Sequence, residues 1–162
     1  GAPLGSVLVG SHDFIHLAKR ARKRCGGGMR QVGVVAAMGL HAIRYHVQRL
    51  RDDHVRAQRL AMELQRHDED EIITLMRTQI DTNMLYFTIR TENTDIRNEK
   101  ENDVLSQFCQ ELQRQYQVKI SPGYGRGGKW FRACTHMHVT DEDIDRAAEG
   151  IVQTARSILL SR

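Results

Sequence analysis

Over the first 66 positions, apolar residues recur mostly at helical spacing. The short apolar run Pro3–Gly10 is the exception, and it predicts a buried strand. Ser11 is placed to cap a helix that stops at Gly26–Gly28. A longer helical stretch begins near Met29. Its first part is apolar almost all round, which predicts burial on several sides, and past Tyr45 it becomes amphipathic.

The pattern changes at His67, where a second domain is predicted to begin. The acidic run 68–71 is typical of a surface link. Strands are predicted at Ile72–Met76 and Met84–Ile89, because β-branched and aromatic residues are frequent there. The polar residues 91–102 predict a loop.

The remaining positions predict two helices and two further strands. Apolar residues at helical spacing predict a helix over 104–116. Short strands are predicted at Val118–Ile120 and Trp130–Thr135, with a glycine-rich turn over 121–129 between them. The last helix is predicted to begin at the capping box Thr140–Asp143.

This order of elements predicts an α/β protein with two parts, residues 1–66 and residues 67–162. The first strand has no predicted neighbour, and the chain opens with Gly1 rather than Met, so we expect it to be a piece of a longer protein. The composition, 40% hydrophobic and 27% charged, is that of a globular chain. No apolar run approaches the length that spans a bilayer, so we expect no membrane partner.

Charge is spread unevenly between the two parts. Residues 1–66 carry 12 Lys+Arg and 4 Asp+Glu, a net +8; residues 67–162 carry 12 and 16, a net −4, which together give +4. A basic part can bind nucleic acid, a membrane surface or a small anion, or it can coat the outer faces of helices. We favour the last interpretation, because the basic run Lys19–Arg24 lacks interleaved aromatic residues.

Cysteine usage indicates a reducing compartment. The three cysteines, Cys25, Cys109 and Cys134, are odd in number and far apart, which argues against a disulfide framework. His136 and His138 stand two residues apart, but no third ligand is evident, so we expect a role in a turn rather than a metal site.

Four stretches of the chain, in order, resemble threonine aldolases of the β-eliminating lyase group. They are Gly1–Ser6 with Val9–Ser11; Arg22-Lys23 with Gly26–Gln31; Thr82–Met84; and Phe131-Arg132 with Thr135-His136, continuing into Val139–Asp145. The first two are the specific ones, whereas much of the last is a helix cap.

The resemblance implies a fold type I pyridoxal 5'-phosphate (PLP) enzyme. Residues 1–66 would then be the end of the PLP-binding large domain, with its long linking helix, and residues 67–162 the small C-terminal α/β domain. It implies cleavage of L-threonine or L-allo-threonine to glycine and acetaldehyde by a homodimer or homotetramer. The cofactor lysine is expected just upstream of Gly1, so this chain by itself is expected to be inactive.

Arg132 is the candidate for binding the substrate carboxylate. An arginine fork holds both carboxylate oxygens in one plane, which suits an amino acid whose breaking bond must be oriented. From the pattern alone, an exposed strand arginine in a surface ion pair is the simpler interpretation. The setting of Arg132 resembles that of the family's carboxylate arginine, and this favours the binding role.

Arg30 is the candidate for binding the cofactor. It follows Gly26–Gly28 and opens a helix, and both glycines and helix N-termini favour close approach of an anion. The alternative is an ordinary first-turn arginine. The resemblance places it at the active site, near the cofactor phosphate.

Two other hypotheses remain open at this stage. The chain could be a non-catalytic remnant that pairs with a complete subunit, or part of another fold type I lyase. Cys134 stands where an aliphatic residue is expected, which leaves the substrate uncertain. A cytoplasmic location is expected, although any targeting segment would lie upstream.

Overall fold

The computed structural model describes residues 2–90, 99–125 and 128–160. The chain divides into two compact units, Gly1–Arg49 and Leu50–Arg162. This division differs from the two predicted parts, because the residues from Leu50 to His67 pack within the second unit. The assignment of 1–66 and 67–162 to two domains of a larger enzyme stays a prediction.

The first unit contains two helices, α1 (His12–Arg24) and α2 (Val32–Tyr45). Helix α1 begins as predicted: the backbone N–H of Phe14 donates to Oγ of Ser11, at 3.3 Å. The strand predicted at Pro3–Gly10 is wrong, since these residues are irregular. A strand needs a neighbour to exchange backbone hydrogen bonds with, and the described residues of this unit include none.

The long helical stretch predicted from Met29 is interrupted. Helix α2 ends at Tyr45, residues 46–49 form a turn, and α3 (Leu50–His67) follows. The break falls where the sequence pattern changes from apolar all round to amphipathic. Met29 has a φ of 41°, which is outside the helical range and delays the start of α2 to Val32.

The second unit is built on a four-stranded antiparallel sheet in the order β1-β2-β4-β3. Its strands are β1 (Ile73–Leu75), β2 (Met84–Ile89), β3 (Ser121–Tyr124) and β4 (Trp130–Cys134). Three of them confirm the predicted strands to within a residue at each end.

The prediction for β3 is wrong in position. Residues 118–120 are irregular, and the strand is formed by Ser121–Tyr124. The sequence predicts a turn for these residues, because they include Pro122 and precede further glycines. Pro122 and Gly123 are tolerated because β3 is an edge strand with a register irregularity between Ser121 and Tyr124.

Helices cover one face of this sheet. They are α3, α4 (Glu99–Tyr116) and α5 (Asp141–Leu160), and α5 packs against both of the others. Phe87 and Phe131 stack from adjacent strands with ring centroids 5.3 Å apart, and Phe108 of α4 lies 4.8 Å from Phe131. The predicted loop 91–102 is wrong at 99–102, which are helical; its other residues lie outside the described ones.

The start of α5 confirms the predicted capping box. The backbone N–H of Thr140 donates to Oδ2 of Asp143, at 2.9 Å, and the N–H of Asp143 donates to Oγ1 of Thr140, at 3.2 Å. The bond from the Thr140 N–H, together with bonds from the Thr140 hydroxyl and Arg146 to the same carboxylate, holds the pKa of Asp143 below its usual range. Next to the box, Arg56 of α3 pairs with Asp141, at 3.0 Å, and Arg59 with Asp145, at 2.7 Å. The acidic residues in the first turns of α5 therefore also form ion pairs with α3.

Candidate functional site

Arg132 lies in the middle of β4, on the sheet face opposite the helices. It is paired with Tyr86 of β2 on one side and Ser121 of β3 on the other. Neighbouring residues of a strand point to opposite faces, so Phe131 and Ala133 are buried in the core while Arg132 is half-buried on the other face. We call the second face, with Tyr86, Tyr124, Trp130 and Arg132, the open face.

The guanidinium of Arg132 is held by an aromatic ring. Its Cζ atom lies 4.3 Å from the ring centroid of Tyr124, which is the geometry of a cation–π contact. Tyr86 meets Tyr124 edge to face, with ring centroids 5.9 Å apart. Within the described residues, Arg132 forms no ion pair with a carboxylate. The arrangement therefore favours a binding role over a surface ion pair.

A shallow cavity adjoins the open face. It has a volume of about 250 Å³ and is lined by the β1–β2 connection together with Met84 and Tyr86. Tyr86, which lines the cavity, is the register partner of Arg132 on the neighbouring strand, so the cavity adjoins the strand position next to Arg132. A small ligand bound at Arg132 would thus have room beside it.

Two stretches that carried the family resemblance meet at the end of β4. The side-chain amide of Asn83 donates to the carbonyl of Thr135, at 2.9 Å, and the N–H of Thr135 donates to the carbonyl of Asn83, at 3.0 Å. The hydroxyl of Thr135, which is buried, donates to the carbonyl of Asp53 in α3, at 2.6 Å. These bonds tie the end of β4, and with it Arg132, to α3. Apart from the resemblance, no sequence pattern assigns a role to either Asn83 or Thr135.

Arg30 lies in the first unit, in the turn before α2, and it is exposed. Gln31 is the N-cap of α2 and makes no side-chain capping bond. No ion pair of Arg30 occurs within the described part of the chain. An exposed guanidinium beside an uncapped helix N-terminus suits an anion. Arg30 and Arg132 belong to different units, so the relation between the two candidates stays a prediction.

The histidines after β4 form a local contact. The N–H of His138 donates to Nδ1 of His136, at 3.3 Å, and both side chains are exposed. Among the described residues, no group of three or more His, Cys, Asp or Glu side chains is placed to hold a metal ion.

The cysteines are free thiols in different surroundings. Cys25 and Cys134 are exposed, whereas burial raises the pKa of the Cys109 thiol to about 11. Cys134 is the last residue of β4, two positions from Arg132 on the same strand. Across the residues that the structure describes, no helix is both long and apolar enough to cross a membrane.

Comparison with known proteins identifies the family. The family model for beta-eliminating lyases matches residues 1–90, which is more than half of the chain. The chain therefore belongs to the beta-eliminating lyase family, and this family is one of the fold type I PLP enzymes. The mixed α/β class that the sequence predicts is confirmed.

Individual relatives are threonine aldolases by name. The low specificity L-threonine aldolase of Escherichia coli is 45% identical over 93 residues, which is 57% of this chain and 26% of that protein. A probable low-specificity L-threonine aldolase 2 of Arabidopsis thaliana is 44% identical over 89 residues, 55% of this chain and 24% of that protein. The low-specificity L-threonine aldolase of Eremothecium gossypii is 33% identical over 155 residues, 94% of this chain and 34% of that protein.

These matches also show how much of each relative the chain covers. The chain spans about a quarter of the length of the curated relatives it matches first. The longest of these alignments covers 94% of the chain, an extent that includes both Arg30 and Arg132. The resemblance seen in the sequence is thus confirmed over 94% of the chain.

The residues present fit the anionic groups of PLP and of an amino acid. PLP carries a phosphate, and Arg30 offers a cation beside an uncapped helix N-terminus. An amino acid carries a carboxylate, and Arg132 offers a guanidinium that has no carboxylate partner among the described residues. Both sites have the sign of charge and the donors that these groups require.

Proposed function

We propose that this chain is part of a PLP-dependent aldolase that cleaves L-threonine and L-allo-threonine to glycine and acetaldehyde. The observation that carries the proposal is Arg132, a half-buried cation whose Cζ atom lies over the ring of Tyr124 and which has no carboxylate partner among the described residues. The names of the relatives support the reaction class. The complete protein would act in threonine catabolism and glycine formation.

Arg132 would bind the substrate carboxylate and set the orientation of the amino acid. When bound, PLP supplies the electron sink that stabilises the carbanion left as the Cα–Cβ bond breaks. A two-point contact from Arg132 to both carboxylate oxygens would restrict rotation of the substrate and so fix the direction of its Cα–Cβ bond. A lysine at this position would keep the charge but lose the fixed fork.

Arg30 would bind the phosphate of the cofactor. Its guanidinium would supply charge, and the N-terminus of α2 would add the positive end of the helix dipole. The proposal includes a homodimer or homotetramer in the cytoplasm, with β-hydroxy amino acids as substrates and without nucleic acid or membrane as a partner.

The test is turnover by the complete protein with PLP supplied. Acetaldehyde release from L-threonine and L-allo-threonine would be followed through alcohol dehydrogenase and NADH absorbance. We expect release in the wild type and a fall of 10- to 100-fold in kcat/KM in Arg132→Lys, because the two-point contact is lost. Arg114→Lys is the control: this exposed arginine pairs with Glu111 on α4, away from the open face.

The outcomes separate the open hypotheses. PLP binding without acetaldehyde release from either threonine diastereomer would refute the aldolase proposal and favour another fold type I lyase. A complete protein that binds no PLP would indicate a non-catalytic relative. Equal activity of Arg132→Lys and Arg114→Lys would refute the role of Arg132 while leaving the reaction intact.

A further inference from the structure

We infer that Tyr124 is a positioning residue, which holds the guanidinium of Arg132 ready for a carboxylate. The inference rests on the proposed function, since it concerns how Arg132 would bind its ligand. Its basis is the cation–π contact of 4.3 Å between the Tyr124 ring and Cζ of Arg132. The glycine-rich segment that contains Tyr124 thereby acquires a role that the sequence pattern does not show.

The geometry explains why a ring serves better here than an acidic partner. A carboxylate beside Arg132 would occupy the N–H donors and neutralise the charge that a ligand needs. An aromatic ring carries no net charge, so the cation–π contact with Tyr124 leaves the positive charge of the guanidinium available to a ligand. Tyr124 therefore restricts the arginine without competing with the carboxylate.

The contact also lowers the ordering cost of binding. An unrestrained arginine side chain has considerable rotamer freedom, which it loses when it binds a ligand. Stacking on Tyr124 restricts part of that freedom in advance, and preorganisation of this kind raises affinity. Tyr124 is itself supported by Tyr86, whose ring meets it edge to face at 5.9 Å.

On either side of Tyr124 the backbone adopts conformations that favour glycine. Gly123 and Gly125 have φ values of 94° and 72°, which side chains rarely adopt. A Cβ on Gly125 would stand 2.3 Å from Cδ1 of Trp130, so the indole packs directly against this glycine. Trp130 is the register partner of Tyr124 across the β3–β4 pair. The end of β3 is thus held against β4, and this places Tyr124 beside Arg132.

Substitution of Tyr124 separates this role from a general structural one. Tyr124→Phe keeps the ring and serves as the matched control, whereas Tyr124→Leu removes the flat π surface with little change in volume. The complete protein, loaded with PLP, would be titrated calorimetrically with glycine, which has a carboxylate, and with glycinamide, which lacks it. We expect Tyr124→Leu to weaken glycine binding by roughly 3- to 10-fold and glycinamide binding by less than twofold.

The effect should require the arginine. In an Arg132→Gln background, Tyr124→Leu is expected to leave the ratio of glycine to glycinamide affinity unchanged, since no cation then lies over the ring. The Cζ resonance of Arg132, observed with ¹³C-labelled arginine in the proteins that retain this arginine, provides a measurement independent of binding. It should move downfield in Tyr124→Leu, where ring-current shielding is lost, and stay in place in Tyr124→Phe.

Each result has one meaning. An unchanged affinity ratio in Tyr124→Leu, in protein whose circular dichroism matches the wild type, would overturn the inference even if threonine is cleaved. A wild type with no preference for glycine over glycinamide would overturn it together with the role of Arg132. A wild type that prefers glycine in a Tyr124-dependent way but releases no acetaldehyde would support the inference and refute only the proposed reaction.

Discussion

Gly150, on the buried side of α5, allows two opposing effects to be weighed. In a helix, alanine is more favourable than glycine by about 1 kcal/mol, so propensity alone predicts that Gly150→Ala stabilises the fold. A Cβ at this position, however, would stand 2.6 Å from Cγ and 2.9 Å from Cδ1 of Tyr116, at the end of α4. These atoms are at the root of the ring, so no small rotation of a flexible tip can relieve the clash.

The magnitudes decide the sign. Forcing an extra methyl group into a packed contact costs about 1 to 3 kcal/mol, which exceeds the gain from propensity over most of that range. We expect Gly150→Ala to lower the free energy of unfolding by about 1 kcal/mol in urea titrations followed by circular dichroism at 222 nm. In a Tyr116→Ala background, where the ring is absent, the same substitution should stabilise by up to about 1 kcal/mol.

The double-mutant cycle should therefore give a coupling free energy of about 2 kcal/mol between positions 150 and 116, well above the usual deviation from additivity. If Gly150→Ala stabilises the protein in both backgrounds, the close packing of α4 on α5 at this point is refuted. If it destabilises equally in both, the clash is with another part of the structure and Tyr116 is not the cause.

Two further predictions concern the elements around the sheet. Thr135→Val should lower the free energy of unfolding by about 1 to 3 kcal/mol, because the buried hydroxyl donates to the carbonyl of Asp53. The control is Thr74→Val, at an exposed position. Equal effects of the two substitutions in urea titrations would contradict the prediction. Asp143→Asn should cost about 0.5 to 2 kcal/mol at neutral pH through the capping box, with Glu142→Gln as the control. The pKa of Asp143 is lowered on folding, so its contribution is complete above the ordinary value of 3.8 and is lost as the pH falls through the lower folded value. Thermal unfolding should accordingly show the deficit of Asp143→Asn shrinking below that pH, and a deficit that does not change with pH would contradict the assignment.

Local sequence patterns predicted the elements whose signals are strong within a few residues. The β-branched and aromatic residues of β2 and the capping box of α5 each lie in one short segment, and the structure confirms both elements. The strand predicted at Pro3–Gly10 failed because strand formation depends on a neighbour that a local pattern does not reveal. The position of β3 failed because Pro122 and Gly123 signal a turn, although the edge of a sheet tolerates both.

The site shows the same division between local and distant information. Arg132 was predicted as a ligand-binding residue because its neighbours in sequence resemble a family motif, and its half-buried position without a carboxylate partner among the described residues is in keeping with that role. Tyr124 was missed, since it contacts Arg132 only through the pairing of β3 with β4. A usable signal was present: an aromatic residue with a glycine on each side, in a chain where aromatic residues make up only 6% of the total.

The two faces of the sheet in the second unit allow stability and the proposed binding to be tested separately. The stacked rings of Phe87, Phe108 and Phe131 lie on the helix side, and the bonds of Thr135 and the capping box anchor the elements that pack there. Tyr124 and Arg132 lie on the open face, where neither is part of the buried core. A substitution on the helix side should therefore change the free energy of unfolding, whereas Tyr124→Leu should change ligand affinity with little loss of stability. The two kinds of measurement consequently test different faces of one sheet, and failure of one leaves the other interpretable.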